Sequence, residues 1–332
     1  MAGSYALKTL LFNPPSAFNG KFVSREQCGV GLVEQRFVPS EILLSTAYLR
    51  KLGHDADFAD ADSSVPDFSG YQVVVVWVSV LHSYHQDVQW LRRAKESGCR
   101  TVLVLNEPYD GFETETLRRN PFVDAAVRLW ERERSLGELL GAWRERSTPR
   151  GRGLIFRQNG DLCDTGLHPV LGDLSHLPSC APLLRTLPLG RYEAAGITPG
   201  RGCSALCGFC LYAGCAQRKR RMDDVMDEME AVAGKGKLVF VLDPDLGSTR
   251  TWTEGFCREI VRRKLNIRWR SDLRPQDAVP GLLDLMRASG CDHVLMAVET
   301  LDPEIREKLR AGVSAADLRT AVRAVRKAGI RP

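Results

Sequence analysis

The sequence predicts an α/β chain in two parts: a doubly wound parallel sheet over residues 1–145 and a second βα series over residues 191–332, joined by a structured linker at 146–190. Three observations carry this expectation. Strand-length apolar runs alternate with helix-like segments through the first 145 residues, the sequence form of a parallel sheet. The alternation then breaks at a stretch rich in Pro and Gly, "RSTPRGRGLIFRQNGDLCDTGLHP" and the residues after it. It resumes near residue 191 with a different spacing.

In order, "ALKTLLF" (6–12) reads as a strand stopped by "NPP", because two prolines cannot continue a ladder. "SEILLSTAYLRKLG" carries an apolar helical stripe, with Ser40 as its N-cap and Gly53 as its stop. The strands "DADFAD" and "YQVVVVWVS" follow, then the helix "HQDVQWLRRAKESG", the strand "RTVLVLN", a loop, the strand "VDAAVRL" and the helix "ERSLGELLGAWRER". Five strands with intervening helices make a doubly wound sheet, whose ligands sit beyond the strands' carboxyl ends. Within the linker, "LIFRQNGDLC" carries the Asn-Gly signal of a short hairpin, and the surrounding leucines and prolines suit packing on both neighbours.

The second series starts with the strand "YEAAGITPG", which runs into a cysteine-rich loop. After it come the helix "DDVMDEMEAVAGKG", the strand "KLVFVLD", the helix "TWTEGFCREIVRRKL" and the strand "NIRWRSDL". The helix "PGLLDLMRASG", the strand "DHVLMAVET" and the helix "SAADLRTAVRAVRKAG" complete four βα units, and "IRP" stands where a fifth strand should begin.

Composition narrows the class. Lys and Arg outnumber Asp and Glu by 46 to 41 in 332 residues, a mild excess that argues against a dedicated nucleic-acid surface. The longest apolar run, Val73 to Leu81, is of strand length and far short of the roughly 20 residues of a membrane span. The start "MAGSYALKTLLFNPPS" has no signal-peptide layout, so a cytoplasmic chain without membrane partners is expected. Ten cysteines in that setting read as reduced thiols, and clustered ones point to metal or catalysis before disulfides.

The cluster is "GRGCSALCGFCLYAGC" (200–215), in which Cys203, Cys207 and Cys210 stand at C-x3-C-x2-C spacing and Cys215 follows. Thiolates suit zinc, copper(I) or iron–sulfur clusters. Two sites are open to this loop: a closed tetrahedral zinc completed by Cys215, or a three-thiolate iron–sulfur site with one iron left without a protein ligand. The spacing, on a loop directly after the first strand of a βα series, resembles the radical S-adenosylmethionine (SAM) superfamily. The resemblance implies a [4Fe–4S] cluster on Cys203, Cys207 and Cys210, with the fourth iron chelating the amino and carboxylate groups of SAM, and it sets Cys215 aside as an idle thiol.

The match extends along the second series. "GRGCSALCGFC" is similar to the family's glycine-led entry with an aromatic, Phe209, before the last cysteine; "RMDDVMDEM" to its basic-then-acidic first helix; "VFVLDPDLG" to its acidic second-strand end; and "LLDLMRASGCDHVLMAVET" to its fourth-strand segment ending in Glu299. By resemblance Asp243, Asp245, Ser271, Arg274 and Glu299 line the SAM pocket. Read from the residues alone, Asp243 and Asp245 around Pro244 equally make a helix-capping turn, and the run "RKRR" at 218–221 reads as a solvated face. The family core is a six-unit partial barrel, so this resemblance implies an incomplete barrel here, with the remainder supplied by a longer gene product or by a partner.

The first 145 residues resemble the cobalamin-binding domain of the cobalamin-dependent subclass of that superfamily, through "LLFNPP", "LRKLGHDADFADAD" and "VVVVWVS". The D-x-H-x-x-G string of other cobalamin domains does not occur, since His54 has different neighbours, and "NEPYDG" and "LWERE" replace the subclass's glycine-rich turn and "GEGE". Ser79 and His82 in "SVLHSYH", with His85, and Asn106 after the fourth strand are the residues placed to meet the corrin. The resemblance implies a class B radical SAM methyltransferase: a 5′-deoxyadenosyl radical takes hydrogen from a substrate carbon, which then receives a methyl group from methylcobalamin. It also implies an electron donor such as flavodoxin or ferredoxin and a small-molecule or peptide substrate of natural-product type. A non-methylating radical SAM cyclisation or rearrangement and a non-catalytic cofactor-binding module are the alternatives.

Overall fold

The structure, a computed structural model, describes residues 7–15, 17–18, 21–22, 37–60, 66–79, 83–105, 111–128, 130–170, 172–210, 212–310 and 312–332. The chain divides into two compact units, Met1–Leu171 and Gly172–Pro332.

The amino-terminal unit is built on β1 (Thr9–Asn13), α1 (Ser40–Lys51), β2 (Ala56–Asp60), β3 (Val73–Val78), α2 (Tyr84–Glu96), β4 (Arg100–Leu105), α3 (Phe112–Arg119), β5 (Ala125–Val127) and α4 (Arg132–Arg144). Its parallel strands lie in the order β2-β1-β3-β4-β5. That is the 2-1-3-4-5 order of the flavodoxin-like doubly wound fold, whose ligand crevice opens at the carboxyl ends of β1 and β3. Period-2 alternation explains the layering. Leu10, Phe12, Val74, Val76 and Val78 point to one face and pack with Val88 and Leu91 of α2 and Leu117 of α3. Leu11, Val73, Val75 and Trp77 point to the other, against Ile42 and Leu49 of α1 and Leu136, Leu139 and Leu140 of α4.

Two strands extend this sheet from the stretch expected to be a linker. β6 (Leu154–Gln158) pairs antiparallel with β5, and β7 (Asp161–Asp164) pairs antiparallel with β6. Asn159 and Gly160 between them have φ of 52° and 92°, as a two-residue hairpin turn requires. Residues 146–190 are therefore divided: the hairpin belongs to the first sheet, and a short helix, α5 (Ala181–Thr186), packs on the first long helix of the second unit. Ser40 is not the N-cap of α1; Pro39 holds that position without a side-chain cap, and Ser40 is the buried first helical residue. Helix α3, part of an expected loop, forms because Glu113, Thr116 and Leu117 have a buried face to occupy.

The carboxy-terminal unit continues with β8 (Ala194–Ile197), β9 (Gly200–Cys203), β10 (Cys215–Lys219), α6 (Met222–Val232), β11 (Leu238–Val241), α7 (Arg250–Arg262), β12 (Arg268–Asp272), α8 (Pro280–Ala288), β13 (Cys291–Leu295), α9 (Pro303–Leu309) and α10 (Ala315–Lys327). Strands β8, β11, β12 and β13 are parallel and adjacent in chain order, the arrangement of a barrel wall. The fully buried Trp269 of β12 donates its indole N–H to Ser289 O (3.0 Å) and meets Phe256 of α7 edge-on. Beside β13 the chain pairs once more: Val294 N donates to Arg331 O (2.9 Å) and Arg331 N to Asp292 O (3.0 Å), so "IRP" enters the sheet in parallel, as a fifth strand would. Among the described residues no helix is long and apolar enough to cross a membrane.

Candidate functional site

The cysteine segment is a hairpin beyond the carboxyl end of β8. β9 and β10 pair antiparallel, with Gly200 opposite Lys219, Arg201 opposite Arg218 and Cys203 opposite Cys215. Two residues, 216 and 217, thus face Gly202 alone, a β-bulge. Gly202 has φ of 87°, and the carbonyl of Ala216 fills the space a Cβ would need, so only glycine fits. The tip is tied down by its own backbone: Cys210 N donates to Cys207 O (3.0 Å), Gly214 N to Ala205 O (2.8 Å), and Gly208 N to Leu309 O at the end of α9 (2.6 Å).

Behind the tip lies a buried acidic pair. Asp243 is 3% and Asp245 2% exposed, values that require partners. Lys219 Nζ stands 2.6 Å from Asp243 Oδ2, and Asp245 N donates to Asp243 Oδ1 (3.0 Å). Asp245 Oδ2 accepts from Ser204 Oγ (3.1 Å) and, at 3.3 Å, from Ser204 N, which fastens it to the residue after Cys203. Arg274 Nε lies 2.9 Å from Asp245 Oδ1, but its single N–H is given to Asp277 Oδ2 (3.0 Å). The contact to Asp245 is therefore ionic, and among the described residues Oδ1, although buried, accepts no hydrogen bond. The Asp-Pro-Asp segment is both a local turn and the anchor of the cysteine loop.

Of the residues expected around SAM, Asp243, Asp245 and Arg274 come together with Cys203. Ser271 is buried and donates its hydroxyl to Val241 O (2.9 Å), joining the ends of β11 and β12. Glu299 does not end a strand: β13 stops at Leu295, and Glu299 lies four residues on, exposed, with φ of 53°. Its charge nonetheless reaches the Cys207 thiol. Gln217 and Asp277 were not singled out from sequence, and Lys219 was read only as part of the run 218–221. Gln217 donates to the Asp245 carbonyl and accepts from Thr249 Oγ1, so β10 supplies two partners to the acidic segment.

The run 218–221 is not a solvated face. Arg218 and Arg220 are buried, Lys219 pairs with Asp243, and of the four basic residues Arg221 alone is exposed. Arg220 makes a two-pronged pair with Glu228 of α6 at 2.6 and 2.9 Å and also donates to Thr198 O (3.2 Å) and Pro178 O (2.9 Å). Charge along the sequence could not reveal this, because the partners lie 8 and 24 residues away.

Burial pushes the Cys203 thiol above its ordinary range, an amide N–H at Ala205 opposes this, and the Asp245 charge adds to it. Burial also raises Cys207, with the Cys210 and Glu299 charges adding to the rise. Without a cation the neutral thiols are favoured; a cationic ligand would displace their protons. Among the described residues, no three His, Cys, Asp or Glu side chains converge on one ion position. A cubane's thiolates each bind a different iron and need no such convergence, so the three thiols of this one hairpin, Cys203 at the end of β9 and Cys207 and Cys210 at its tip, fit that donor set.

In the amino-terminal unit, the carboxyl ends of β1 and β3 are held by two acids. Asn13 Nδ2 donates to Asp60 Oδ1 (2.8 Å). The buried Asp87, in the first turn of α2, accepts from Ser79 N (2.9 Å) and Ser83 Oγ (2.8 Å) on one oxygen. Ser79 is fully buried, and His85 is exposed on α2. His82 and Asn106 lie outside the described residues. A cleft of about 500 Å³ lined by Arg100, Trp143 and Arg146 opens instead where β4 begins, at the end of the sheet away from a doubly wound fold's ligand crevice.

Residues 197–332 match the radical SAM superfamily. An uncharacterized methyltransferase of Pyrococcus horikoshii is 25% identical over 292 residues, 84% of this chain and 62% of that protein. An anaerobic magnesium-protoporphyrin IX monomethyl ester cyclase of Rubrivivax gelatinosus is 25% identical over 294 residues, 79% of this chain and 51% of that protein. The chain thus spans between half and two thirds of these relatives. The radical SAM methyltransferase TsrM of Kitasatospora setae, solved with cobalamin and a [4Fe–4S] cluster, superposes with a TM-score of 0.73 at 19% identity, covering 98% of this chain and 68% of that one. The cobalamin-dependent SAM radical enzyme OxsB gives 0.76 at 14% identity, covering 98% and 48%. The family match falls on residues 197–332, which carry the cysteine hairpin, and both units find counterparts in those structures, so the chain shares the fold of those two solved enzymes.

Proposed function

We propose that the chain holds a [4Fe–4S] cluster on Cys203, Cys207 and Cys210, binds SAM and cobalamin, and methylates a carbon of a natural-product-like small molecule or peptide. The observation that supports this best is the hairpin itself: three thiols at C-x3-C-x2-C spacing beyond the carboxyl end of a parallel strand series, with Cys215 facing the first of them and the Asp245 carboxylate fastened to the residue after it. When bound, the reduced cluster and SAM supply a 5′-deoxyadenosyl radical, and cobalamin supplies the methyl group. The chain's own residues position and shield. Asp245, held by Ser204 and neutralised in part by Arg274, fixes the cysteine tip and leaves one acceptor open. Lys219 pairs with Asp243 beside it. In the other unit, Asp87 ties Ser79, just past β3, to Ser83 at the strand end at which a doubly wound sheet receives its ligand. A flavodoxin- or ferredoxin-type donor would deliver the electron.

The cyclase relative favours a second reading, a radical SAM cyclisation or rearrangement without methyl transfer. One experiment addresses both. The chain is reconstituted anaerobically with iron, sulfide and hydroxocobalamin, supplied with SAM and reductant, and assayed for two products. Methyl transfer gives 5′-deoxyadenosine and S-adenosylhomocysteine together; cyclisation gives the first without the second. Iron and sulfide that fail to bind, or that bind equally well after Cys203→Ala, would overturn the cluster assignment.

A further inference from the structure

Cys215 has no task in the proposed function, yet the hairpin sets it directly across from Cys203. Directly opposed residues of an antiparallel pair have Cα atoms about 4.5–5.5 Å apart. Disulfides need roughly 4.4–6.8 Å. The bulge at Gly202 creates this opposition, since without it Cys203 would face residue 216. Both cysteines are free thiols, Cys203 buried and Cys215 partly exposed.

We propose that Cys203 and Cys215 form a cross-strand disulfide when the hairpin carries no cluster, and that this bond and the cluster exclude each other. The pairing rests on the strand register alone; the exclusion rests on the proposed cluster ligation by Cys203. With hydrogen peroxide as oxidant, the more accessible Cys215 sulfur attacks one peroxide oxygen, breaking the O–O bond to give a sulfenic acid and one water. Cys203 sulfur then displaces the hydroxyl as a second water, so that two thiols lose two protons and two electrons and one S–S bond forms. A thiol reductant reverses the step and returns Cys203 to the cluster. The fourth cysteine is thereby a redox lock on an unloaded site: it prevents a wrong metal from settling on three bare thiols, and it holds β9 to β10 until reduction.

The test uses the full chain. Cluster-free protein is treated with hydrogen peroxide, quenched in acid with N-ethylmaleimide and digested without reductant. Trypsin releases residues 202–218 with Cys203, Cys207, Cys210 and Cys215 in one peptide, and chymotrypsin cuts it at Phe209 and Tyr212. Uptake of two alkyl groups, at Cys207 and Cys210, with a reducible link between the fragments carrying Cys203 and Cys215, is the expected result. Uptake of all four, or a link between Cys207 and Cys210 or between Cys210 and Cys215, overturns the pairing. Cys215→Ser should lose the link while binding iron and sulfide as the parent does, and its circular dichroism reports whether it folds. Cluster-loaded chain should form the link only as iron is released. An equal rate in loaded and unloaded chain would overturn the exclusion, and with it Cys203 as a cluster ligand, while leaving the pairing intact.

Discussion

Replacing Glu228 with Ala tests how the cysteine hairpin is held from behind. Arg220 and Glu228 are 0% and 1% exposed at their side chains, so neither charge has water to fall back on. Glu228 accepts from both terminal guanidinium nitrogens and, at 2.8 Å, from Cys180 N. The substitution leaves a buried cation with only the carbonyls of Thr198 and Pro178, and a buried amide with nothing. Removing one partner of a buried pair costs about 3–5 kcal/mol, a large share of the roughly 5–15 kcal/mol that holds a domain together. For a unit of this size that lowers the melting temperature by about 10 °C. The assay is a urea titration followed by amide exchange in peptides from 194–232, which reads this unit alone. The double variant Arg220→Met, Glu228→Leu should recover most of the loss, because no charge is left stranded; the residue is the cost of Cys180 N, Thr198 O and Pro178 O losing partners. A loss below about 1 kcal/mol in the single variant, or no recovery in the double, would refute the reasoning. Since Arg220 also donates its backbone N–H to Pro199 O (2.8 Å), iron and sulfide binding should fall with stability in the single variant and return in the double.

Gly202→Ala combines a disfavoured φ of 87° with a Cβ driven into the Ala216 carbonyl, and is expected to abolish cluster loading, whereas Gly234→Ala, at φ of 71° in open space, costs about 1–2 kcal/mol and leaves loading intact; iron and sulfide analysis distinguishes them. Asp87→Ala removes a buried acceptor of the Ser79 amide and the Ser83 hydroxyl and should destabilise the amino-terminal unit by about 1–3 kcal/mol, read from its urea midpoint. Burial, with Arg144 adding, lowers the His54 pKa from its ordinary 6.5, so the folded state prefers the neutral ring. The unfolded chain takes up the proton first as pH falls; stability from this group is complete above pH 6.5 and is lost as pH drops through the folded value. His54→Gln should flatten that slope between pH 7.5 and 5, and an unchanged slope counts against it.

Local chemistry made much of the fold readable. "VVVVWV" is apolar at every position because β3 is covered on both faces, and "NG" turns β6 into β7 because both residues must take positive φ. What the chain did not display is what depends on distant partners. β9 and β10, "GRGC" and "CAQRK", have no apolar alternation, since this hairpin is held by ions and carbonyls rather than by a core. Within "RKR" at 218–220, however, the alternation is present in another form. Arg218 and Arg220 are buried, while Lys219, on the opposite side of the strand, pairs with Asp243. A basic run withdrawn from solvent in this way, with the Lys219 side chain itself only 9% exposed, is an electrostatic core rather than a solvated face. The C-x3-C-x2-C spacing is readable because it is local, and the placement of those thiols is not, because it depends on Glu228 and Asp243, which pair with Arg220 and Lys219 at the end of that strand. It follows that the cysteine loop's position should respond to the loss of a buried charge more sharply than to the loss of any one apolar side chain beside it.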